Sequence, residues 1–294
     1  MLIMVAARTL SLGAQAPSPS VERNVVYGMF SGLALLMDVH RPARPNGIGI
    51  VAIVGTGFHA GTAYNSPPMK DHPAQLGIFV QPLVASGYTV FVINHRGMPI
   101  FRHPAALQDA ERAVRFVRHN AARFGIAALR IGAVGASSGG YLAAMLGVRA
   151  GTGDAADPDE ANRDEARVQA VVAFCPPTDL TGPFDEFGLS ATAAYIGNAR
   201  LPDPKSPEWR LYRDASPVNS VTADDAPVLL IHGDKDTTVP LEHSEKMEVA
   251  LKAASVATKL VRVPGAGHRM APNPENIDFT AEMIRWFDSH LRSR

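Results

Sequence analysis

The 294-residue sequence is poor in several features that mark large protein classes. It has one cysteine, Cys175, which excludes an internal disulfide and, at the end of an apolar run, is expected to be a buried structural residue. Lys plus Arg and Asp plus Glu each total 28, so no net positive charge favours nucleic acid as a partner. No apolar run of about 18 residues occurs, which argues against a membrane span. The sequence also lacks H-E-x-x-H, P-loop and dinucleotide-binding motifs, so neither a metal nor an organic cofactor is expected.

The composition suits one large core. Apolar residues make up 46% of the chain and charged residues 19%, an ordinary balance for a globular protein. We expect residues 25–294 to form a single domain and residues 1–24 to form an N-terminal arm or a signal segment. An A-Q-A tripeptide that ends at Ala16 resembles a signal cleavage site, but no basic segment precedes it and Arg8 interrupts the apolar part. A cytoplasmic and an exported location therefore both remain open, as does the oligomeric state.

Short apolar segments alternate with amphipathic ones along the chain. Buried strands are predicted at residues 48–54, 89–93, 131–134, 168–174, 227–232 and 258–263. Helices are predicted at residues 105–124, 241–253 and 275–291. This alternation predicts an α/β fold with a mostly parallel central sheet and helices on both faces. Because ligands bind at the carboxyl ends of the strands in such sheets, catalytic residues should directly follow strands.

One serine meets that condition. The segment Gly135-Ala136-Ser137-Ser138-Gly139 directly follows a predicted strand and leads into an apolar helical run. Strand, G-x-S-x-G and helix in succession are typical of a nucleophile elbow, which presents a serine on a strained turn at a helix N-terminus. Ser137 is therefore the predicted nucleophile, and the amide of Ser138 a predicted oxyanion donor. A phosphate-binding turn is the alternative, but no P-loop lysine follows.

A serine nucleophile needs a base that titrates near neutrality, and histidine supplies one. His268 lies in a small-residue loop between the last predicted strand and the C-terminal helix, where the base of such an enzyme is expected. Three other histidines lie downstream of the serine. His232 ends a strand and is expected to make a structural hydrogen bond, whereas His243 and His290 fall within predicted helices and are expected at the surface.

The loop after the fifth predicted strand, residues 227–232, offers two carboxylates that could orient the histidine. Asp234 adjoins a glycine turn and could bond to nearby loop amides. Asp236 lies deeper in the loop and is the predicted acid. Serine, acid and histidine then follow in the chain order that the elbow motif leads us to expect.

With these residues in place, the chain from about Leu35 onward resembles α/β-hydrolases of the carboxylesterase, acetyl-xylan esterase and feruloyl esterase type. These are related to hormone-sensitive-lipase-like esterases and distantly to prolyl oligopeptidases. The resemblance is carried by H-G-D-K-D-T-T-V-P at 232–240, G-A-G-H at 265–268, and N-H-R-G-M-P at 94–99 with H-P-A-A-L-Q-D at 103–109. It implies the α/β-hydrolase fold and places the acid of the catalytic triad at Asp236.

One segment departs from the family pattern. The usual oxyanion loop reads H-G-G-G-W, whereas residues 54–58 here read V-G-T-G-F. Since backbone amides form the oxyanion hole, the resemblance still implies Thr56 and Gly57 as donors beside Ser138. His59, just beyond, is expected to be structural or exposed.

These observations favour a serine esterase that acts on a small-molecule or carbohydrate ester. The segment 176–226 is rich in proline and aromatic residues, and we expect it to be a small insertion that forms a fixed wall over the active site. Such a wall favours short acyl groups of about two to six carbons. The resemblance adds acetyl or feruloyl esters of carbohydrates as candidate substrates. A prolyl-oligopeptidase-like serine peptidase and a non-catalytic binding protein on the same fold are the alternatives.

Overall fold

The computed structural model describes residues 18–149, 151–198, 202–271 and 273–292, and the sequence feature at Ala16 lies outside these ranges. Within the described part, eight strands form one sheet in the order β1-β2-β4-β3-β5-β6-β7-β8. The strands are β1 Ser20–Phe30, β2 Leu33–Arg41, β3 Gly49–Ile53, β4 Thr89–Ile93, β5 Ile131–Ala136, β6 Ala170–Phe174, β7 Val228–Gly233 and β8 Thr258–Val263. Strands β3 to β8 pair in parallel, whereas β1 with β2 and β2 with β4 pair antiparallel. The α/β-hydrolase fold predicted from the sequence is confirmed.

Helices cover the sheet on both sides. They are α1 Pro73–Gln75, α2 Gln81–Ala85, α3 Ala105–His119, α4 Ala121–Phe124, α5 Ser138–Val148, α6 Glu186–Ile196, α7 Trp209–Asp214, α8 Glu242–Ala253 and α9 Phe279–Phe287. Apolar side chains of α3, α5 and α8 pack on one face of the sheet. Those of α2 and α9 pack on the other face. None of the described helices combines the length and the apolar character needed to cross a membrane.

The central strands read as continuous apolar runs because both of their faces are buried. Every residue of β3 is buried, and its side chains alternate between the two cores, with Val51 and Ile53 on one side and Ile50 and Ala52 on the other. This two-residue period is the pleat of a strand, and the absence of polar positions is typical of a parallel sheet covered on both faces.

The hairpin of β1 and β2 was not predicted from the sequence. Most of β1 is exposed or half-buried, and Glu22, Arg23 and Asn24 interrupt its first half, so the strand lacks the continuous apolar run of the central strands. The two strands are joined through Ser31 and Gly32, both at positive φ, as a two-residue hairpin turn requires. Because β1 begins at Ser20, residues 20–24 belong to the sheet and not to the N-terminal arm that the sequence led us to expect.

The segment between β6 and β7 also has more regular structure than its sequence suggested, since it contains α6 and α7. Helix α6 carries recognisable end signals. The side chain of Asp185 accepts a hydrogen bond from the Gly188 amide at 2.8 Å, and Gly197 ends the helix at φ 118°. The predicted helix at 105–124 is interrupted at Asn120, so that α4 is a separate short helix.

Candidate active site

Ser137 lies on the turn between β5 and α5 with φ 54° and ψ −124°. A non-glycine residue at such angles is strained by about 1–3 kcal/mol, and the surrounding packing must hold it. The glycines on either side make that packing possible. A Cβ at Gly135 would lie 2.3 Å from the Gly139 oxygen, and one at Gly139 would lie 2.1 Å from the Ile53 oxygen. Helix α5 can therefore approach β3 and β5 only with glycine at both positions, and the serine is raised at the helix N-terminus.

The structure brings Ser137, His268 and Asp236 together at the carboxyl edge of the sheet, where they follow β5, β8 and β7. His268 Nε2 lies 2.9 Å from Ser137 Oγ, and His268 Nδ1 lies 2.7 Å from Asp236 Oδ2. A carboxylate only accepts hydrogen bonds, so Nδ1 carries the imidazole proton and Nε2 is left to accept one from the serine hydroxyl. The geometry is that of a serine nucleophile, a general base and an orienting acid.

Asp236 is well held in its ionised form. The side chain is buried, and its Oδ1 accepts a hydrogen bond from the Val239 amide at 3.0 Å. Burial raises the pKa of Asp236, but hydrogen bonds from His232 and His268 and from this amide outweigh it, so the pKa lies well below its usual range. The exposed Asp234 instead accepts a hydrogen bond from the Gly265 amide at 2.8 Å. Asp234 thus ties two loops together and does not contact the imidazole.

The other downstream histidines are placed differently from one another. His232 is buried beside Asp236. The expectation that His243 lies at the surface is wrong: it is 1% exposed, accepts a hydrogen bond from the Asp179 amide and bonds to the Pro183 carbonyl. Burial lowers the pKa of His243. The sequence placed it on a helix correctly, but a segment far away along the chain covers that face of the helix.

The oxyanion loop is fastened by side chains. Gln75 makes two hydrogen bonds to the Gly55 backbone, at 2.8 and 2.9 Å. The Thr56 amide donates to the hydroxyl of Ser138 at 2.9 Å. Of the three predicted oxyanion donors, Thr56 is therefore engaged with a protein group, and the amides of Gly57 and Ser138 are those for which the described residues supply no acceptor. This difference arises because a serine follows the nucleophile, and its hydroxyl reaches the loop.

A cavity of about 410 Å³ opens beside Ser137 and His268. Its apolar wall is formed by Ile78, Phe79, Phe174, Phe187 and Met270. Phe187, on α6, is 58% exposed and stands over Gly57, where an added Cβ would come within 3.0 Å of the ring. Among the described residues that line the cavity none is acidic, and the basic ones besides the triad histidine are His72 and Arg269.

Helix α6 is attached to the loop that carries the acid. One oxygen of Asp185 caps the helix, and the other accepts a hydrogen bond from the Thr238 hydroxyl at 2.9 Å. Gly188 packs so closely that a Cβ there would lie 2.6 Å from the Thr238 oxygen. The position of Phe187 is thereby fixed relative to Asp236.

Cys175 also borders the cavity, as a buried residue at φ 44°. Burial and the neighbouring Asp236 carboxylate raise the pKa of the thiol well above its usual value, so it is not a thiolate nucleophile. Among the described residues, Cys175, His232 and Asp236 form the one group whose ligand atoms, all within 4.8 Å of one another, could hold a metal ion. The protonated thiol and the hydrogen bonds already made by the other two do not favour that use.

The remaining motif of the resemblance is structural. Arg96 and Asp109 form a buried pair, with Nη2 to Oδ1 at 2.7 Å and Nε to Oδ1 at 2.9 Å. The pair fastens the loop after β4 to α3, and neither residue lines the cavity at Ser137.

Comparisons with known proteins agree with this architecture. Residues 37–251 match the BD-FAE family. Esterase LipC of Mycobacterium tuberculosis is 28% identical over 84% of this chain and 59% of its own length, and esterase LipQ of the same organism is 30% identical over 63% and 44%. The chain thus spans about half the length of these curated relatives.

Solved structures are similar over nearly the whole chain. A truncated carbohydrate esterase from gut microbiota has a TM-score of 0.76 and 26% identity, with 95% of this chain and 99% of that chain covered. An acetyl ester-xyloside bifunctional hydrolase from Caldicellulosiruptor lactoaceticus has a TM-score of 0.68 and 28% identity, with 87% of each chain covered. With its family match, its sheet order and its strand-turn-helix serine, the chain belongs to the BD-FAE family and has the α/β-hydrolase fold.

Proposed function

We propose that this protein is a serine esterase that hydrolyses short-chain carboxylic esters through an acyl-enzyme on Ser137. The observation that carries the proposal is the continuous hydrogen-bond chain from Ser137 Oγ through His268 to Asp236, with distances of 2.9 and 2.7 Å. Such a chain activates a serine hydroxyl, and each of its members stands at the end of a different strand.

In the proposed mechanism, Ser137 Oγ attacks the ester carbonyl while His268 Nε2 takes its proton. The tetrahedral intermediate collapses, the imidazolium gives that proton to the leaving alcohol, and the acyl group stays on Ser137. Water then attacks the acyl-enzyme with His268 again as the base, the imidazolium returns the proton to Ser137 Oγ, and the carboxylic acid leaves. Asp236 remains ionised throughout and keeps the proton on Nδ1, a role supported by its depressed pKa.

The oxyanion that forms during attack is stabilised by the amides of Gly57 and Ser138. Gly57 lines the cavity with Ser137, and Ser138 opens α5, whose first amides have no acceptor inside the helix. The helix dipole adds partial positive charge at the same place.

The cavity supports a preference for short acyl groups. About 410 Å³ with apolar walls holds a small acyl or aromatic group, and the exposed ring of Phe187 offers a surface on which a sugar or phenolic ring stacks. Two of the structural neighbours are a carbohydrate esterase and an acetyl ester-xyloside bifunctional hydrolase. We therefore infer that acetyl or feruloyl esters of carbohydrates are the natural substrates, and that the segment 176–226 acts as the insertion that shapes the site.

The test is the ratio kcat/KM along p-nitrophenyl esters from acetate to palmitate, with acetylated xylan and methyl ferulate measured beside them. We expect a maximum at about two to six acyl carbons and activity on at least one carbohydrate or phenolic ester. A maximum at about ten carbons or beyond contradicts the short-acyl proposal. Labelling of wild type, but not of Ser137→Ala, by a fluorophosphonate tests the nucleophile independently of the substrate.

The peptidase and the non-catalytic binding protein are not favoured as alternatives. A matched pair of p-nitrophenyl acetate and p-nitroacetanilide separates the first from an esterase, since a serine esterase is expected to cleave the ester far faster than the anilide.

A further inference from the structure

Asp236 is contacted by two histidines, and only one of them touches Ser137. His232, at the end of β7, is fully buried, and its Nε2 lies 3.3 Å from Asp236 Oδ2. This is the same oxygen that His268 Nδ1 approaches at 2.7 Å. The two imidazoles therefore share one carboxylate oxygen, while the other oxygen is held by the Val239 amide.

The surroundings of His232 determine which of its nitrogens carries hydrogen. Its Nε2 also lies 2.7 Å from the Val239 carbonyl, so both neighbours of Nε2, the carbonyl and the Asp236 carboxylate, can only accept. Nε2 must therefore be the donor. Nδ1 lies 2.7 Å from the buried hydroxyl of Ser244 on α8, which donates to it and so fixes this tautomer.

We propose that His232 is a positioning residue for the triad: its Nε2–H, oriented by Ser244, fixes the Asp236 carboxylate in the rotation that receives His268 Nδ1–H. The inference rests on the proposed function, because it gives His232 a part in the same reaction. His232 contacts both ends of the loop 236–239, with a hydrogen bond to the Val239 carbonyl at 2.7 Å and a contact with Asp236 Oδ2 at 3.3 Å, so the ring also sets the distance between the carboxylate and Val239.

The proposal separates turnover from binding. Neither His232 nor Asp236 lines the cavity at Ser137, so loss of the ring leaves the substrate surface intact. A carboxylate that can rotate holds the imidazole less well, and this cost falls on the chemical step. In metal sites, the hydrogen-bond partners that orient the ligands typically contribute about 10- to 100-fold to activity, and we expect His232 to contribute to kcat on the same scale.

The experiment compares two substitutions of His232 in the full chain. Gln places an amide N–H near the position of Nε2, whereas Asn reaches only as far as Nδ1. With p-nitrophenyl acetate, we expect His232→Asn to lower kcat by about 10- to 100-fold with KM changed by less than about twofold, and His232→Gln to recover much of that loss. Ser244→Ala, which removes only the hydroxyl that fixes the tautomer, should give a smaller loss of kcat in a fully folded protein.

His243→Gln is the matched control, because His243 is also a buried histidine with two hydrogen bonds and adjoins Ser244, but does not contact Asp236. We expect it to keep kcat within about twofold of wild type. The low-field proton resonance of His268 Nδ1–H provides a readout that needs no turnover, and it should shift or broaden in His232→Asn and not in His243→Gln.

Two outcomes overturn the inference. In one, folded His232→Asn keeps the kcat and the low-field resonance of wild type. In the other, His232→Asn and Ser244→Ala lose no more activity than His243→Gln at a comparable loss of Tm, which would mark the ring as structural. Failure of the proposed function is recognised separately, since wild type would then show no Ser137-dependent ester hydrolysis.

Discussion

The two loops that flank Ser137 are held in different ways. Asp236 is buried, and its loop is fastened by the His232 imidazole, the Val239 amide and His268. Thr56 is half-buried, and its loop is fastened by the Gln75 amide and the Ser138 hydroxyl. The loop that carries the Asp236 carboxylate is thus fixed by hydrogen-bond donors that stabilise its negative charge. The loop that carries the oxyanion amides is fixed by neutral side chains. Substitutions should therefore affect the acid loop through orientation of the base, and the oxyanion loop through placement of the amides.

The largest effect is expected where both loops converge, at the nucleophile and base. Ser137→Ala and His268→Ala should each lower kcat on p-nitrophenyl acetate by on the order of 10⁴ or more, leaving what binding and the oxyanion donors supply. Circular dichroism and Tm should show a folded protein. A folded Ser137→Ala that retained about a tenth of wild-type kcat would disprove the assignment of the nucleophile.

The acid loop is tested by a pair of aspartates two residues apart. Asp236→Asn should lower kcat by on the order of 10³ to 10⁴, because the imidazole loses the acceptor that fixes its tautomer. Asp234→Asn should change mainly the Tm, since within the described part of the chain its side chain bonds only to the Gly265 amide. Equal losses of kcat in the two variants would show that the acid had been assigned wrongly.

The oxyanion loop is expected to respond more weakly. Ser138→Ala removes the hydroxyl that accepts from the Thr56 amide, and we expect kcat to fall by about threefold to tenfold, the equivalent of one neutral hydrogen bond. Ser216→Ala is the control, because Ser216 is equally buried and its hydroxyl bonds to the Leu180 amide and the Tyr212 carbonyl, away from the site. A kcat for Ser138→Ala that matches that of Ser216→Ala would show that the oxyanion loop does not need the hydrogen bond to the Ser138 hydroxyl.

The smallest effect is expected in the dependence of stability on pH. The pKa of Asp236 is lowered in the folded protein, so ionised Asp236 stabilises the fold above its unfolded value of about 3.9, and this contribution is lost as the pH falls below it. The gap in Tm between wild type and Asp236→Asn should therefore narrow as the pH falls from 6 toward about 3. A gap that stays constant over that range would show that Asp236 has the same pKa in both states.

The sequence predicted the parts of the fold whose signal is local. Ser137, Asp236 and His268 each follow a strand within a short motif, and the central strands are apolar because both faces are covered. The strand before His268, β8, was predicted to be buried but lies at the sheet edge and is mostly half-buried or exposed. The hairpin of β1 and β2 was missed because apolar and polar residues alternate only weakly along the edge strand β1. Helix α6 was missed although Asp185 and Gly197 mark its ends, because its apolar residues do not form one stripe.

Contacts between distant segments could not be predicted in this way. The hydrogen bond from the Thr56 amide to the Ser138 hydroxyl joins residues 82 positions apart, and neither sequence motif predicts it. The burial of His243 likewise depends on the segment around Asp179 and Pro183, which packs on α8 from outside. In both cases the sequence placed the residue on the correct loop or helix. What it did not predict was the distant segment that packs against that loop or helix.

Helix α6, which carries the cavity residue Phe187, is attached to the loop that carries Asp236, so we expect changes in substrate preference to affect turnover. Phe187, which lines the cavity, lies two residues after Asp185, and Asp185 accepts a hydrogen bond from Thr238, two residues beyond the acid. We therefore expect a bulkier substrate that displaces this ring to displace also the loop that aligns the imidazole. Variants selected at Phe187 for larger acyl groups should consequently need a compensating change near Thr238 before they recover speed, so the route to new specificity runs through pairs of substitutions and not through single ones.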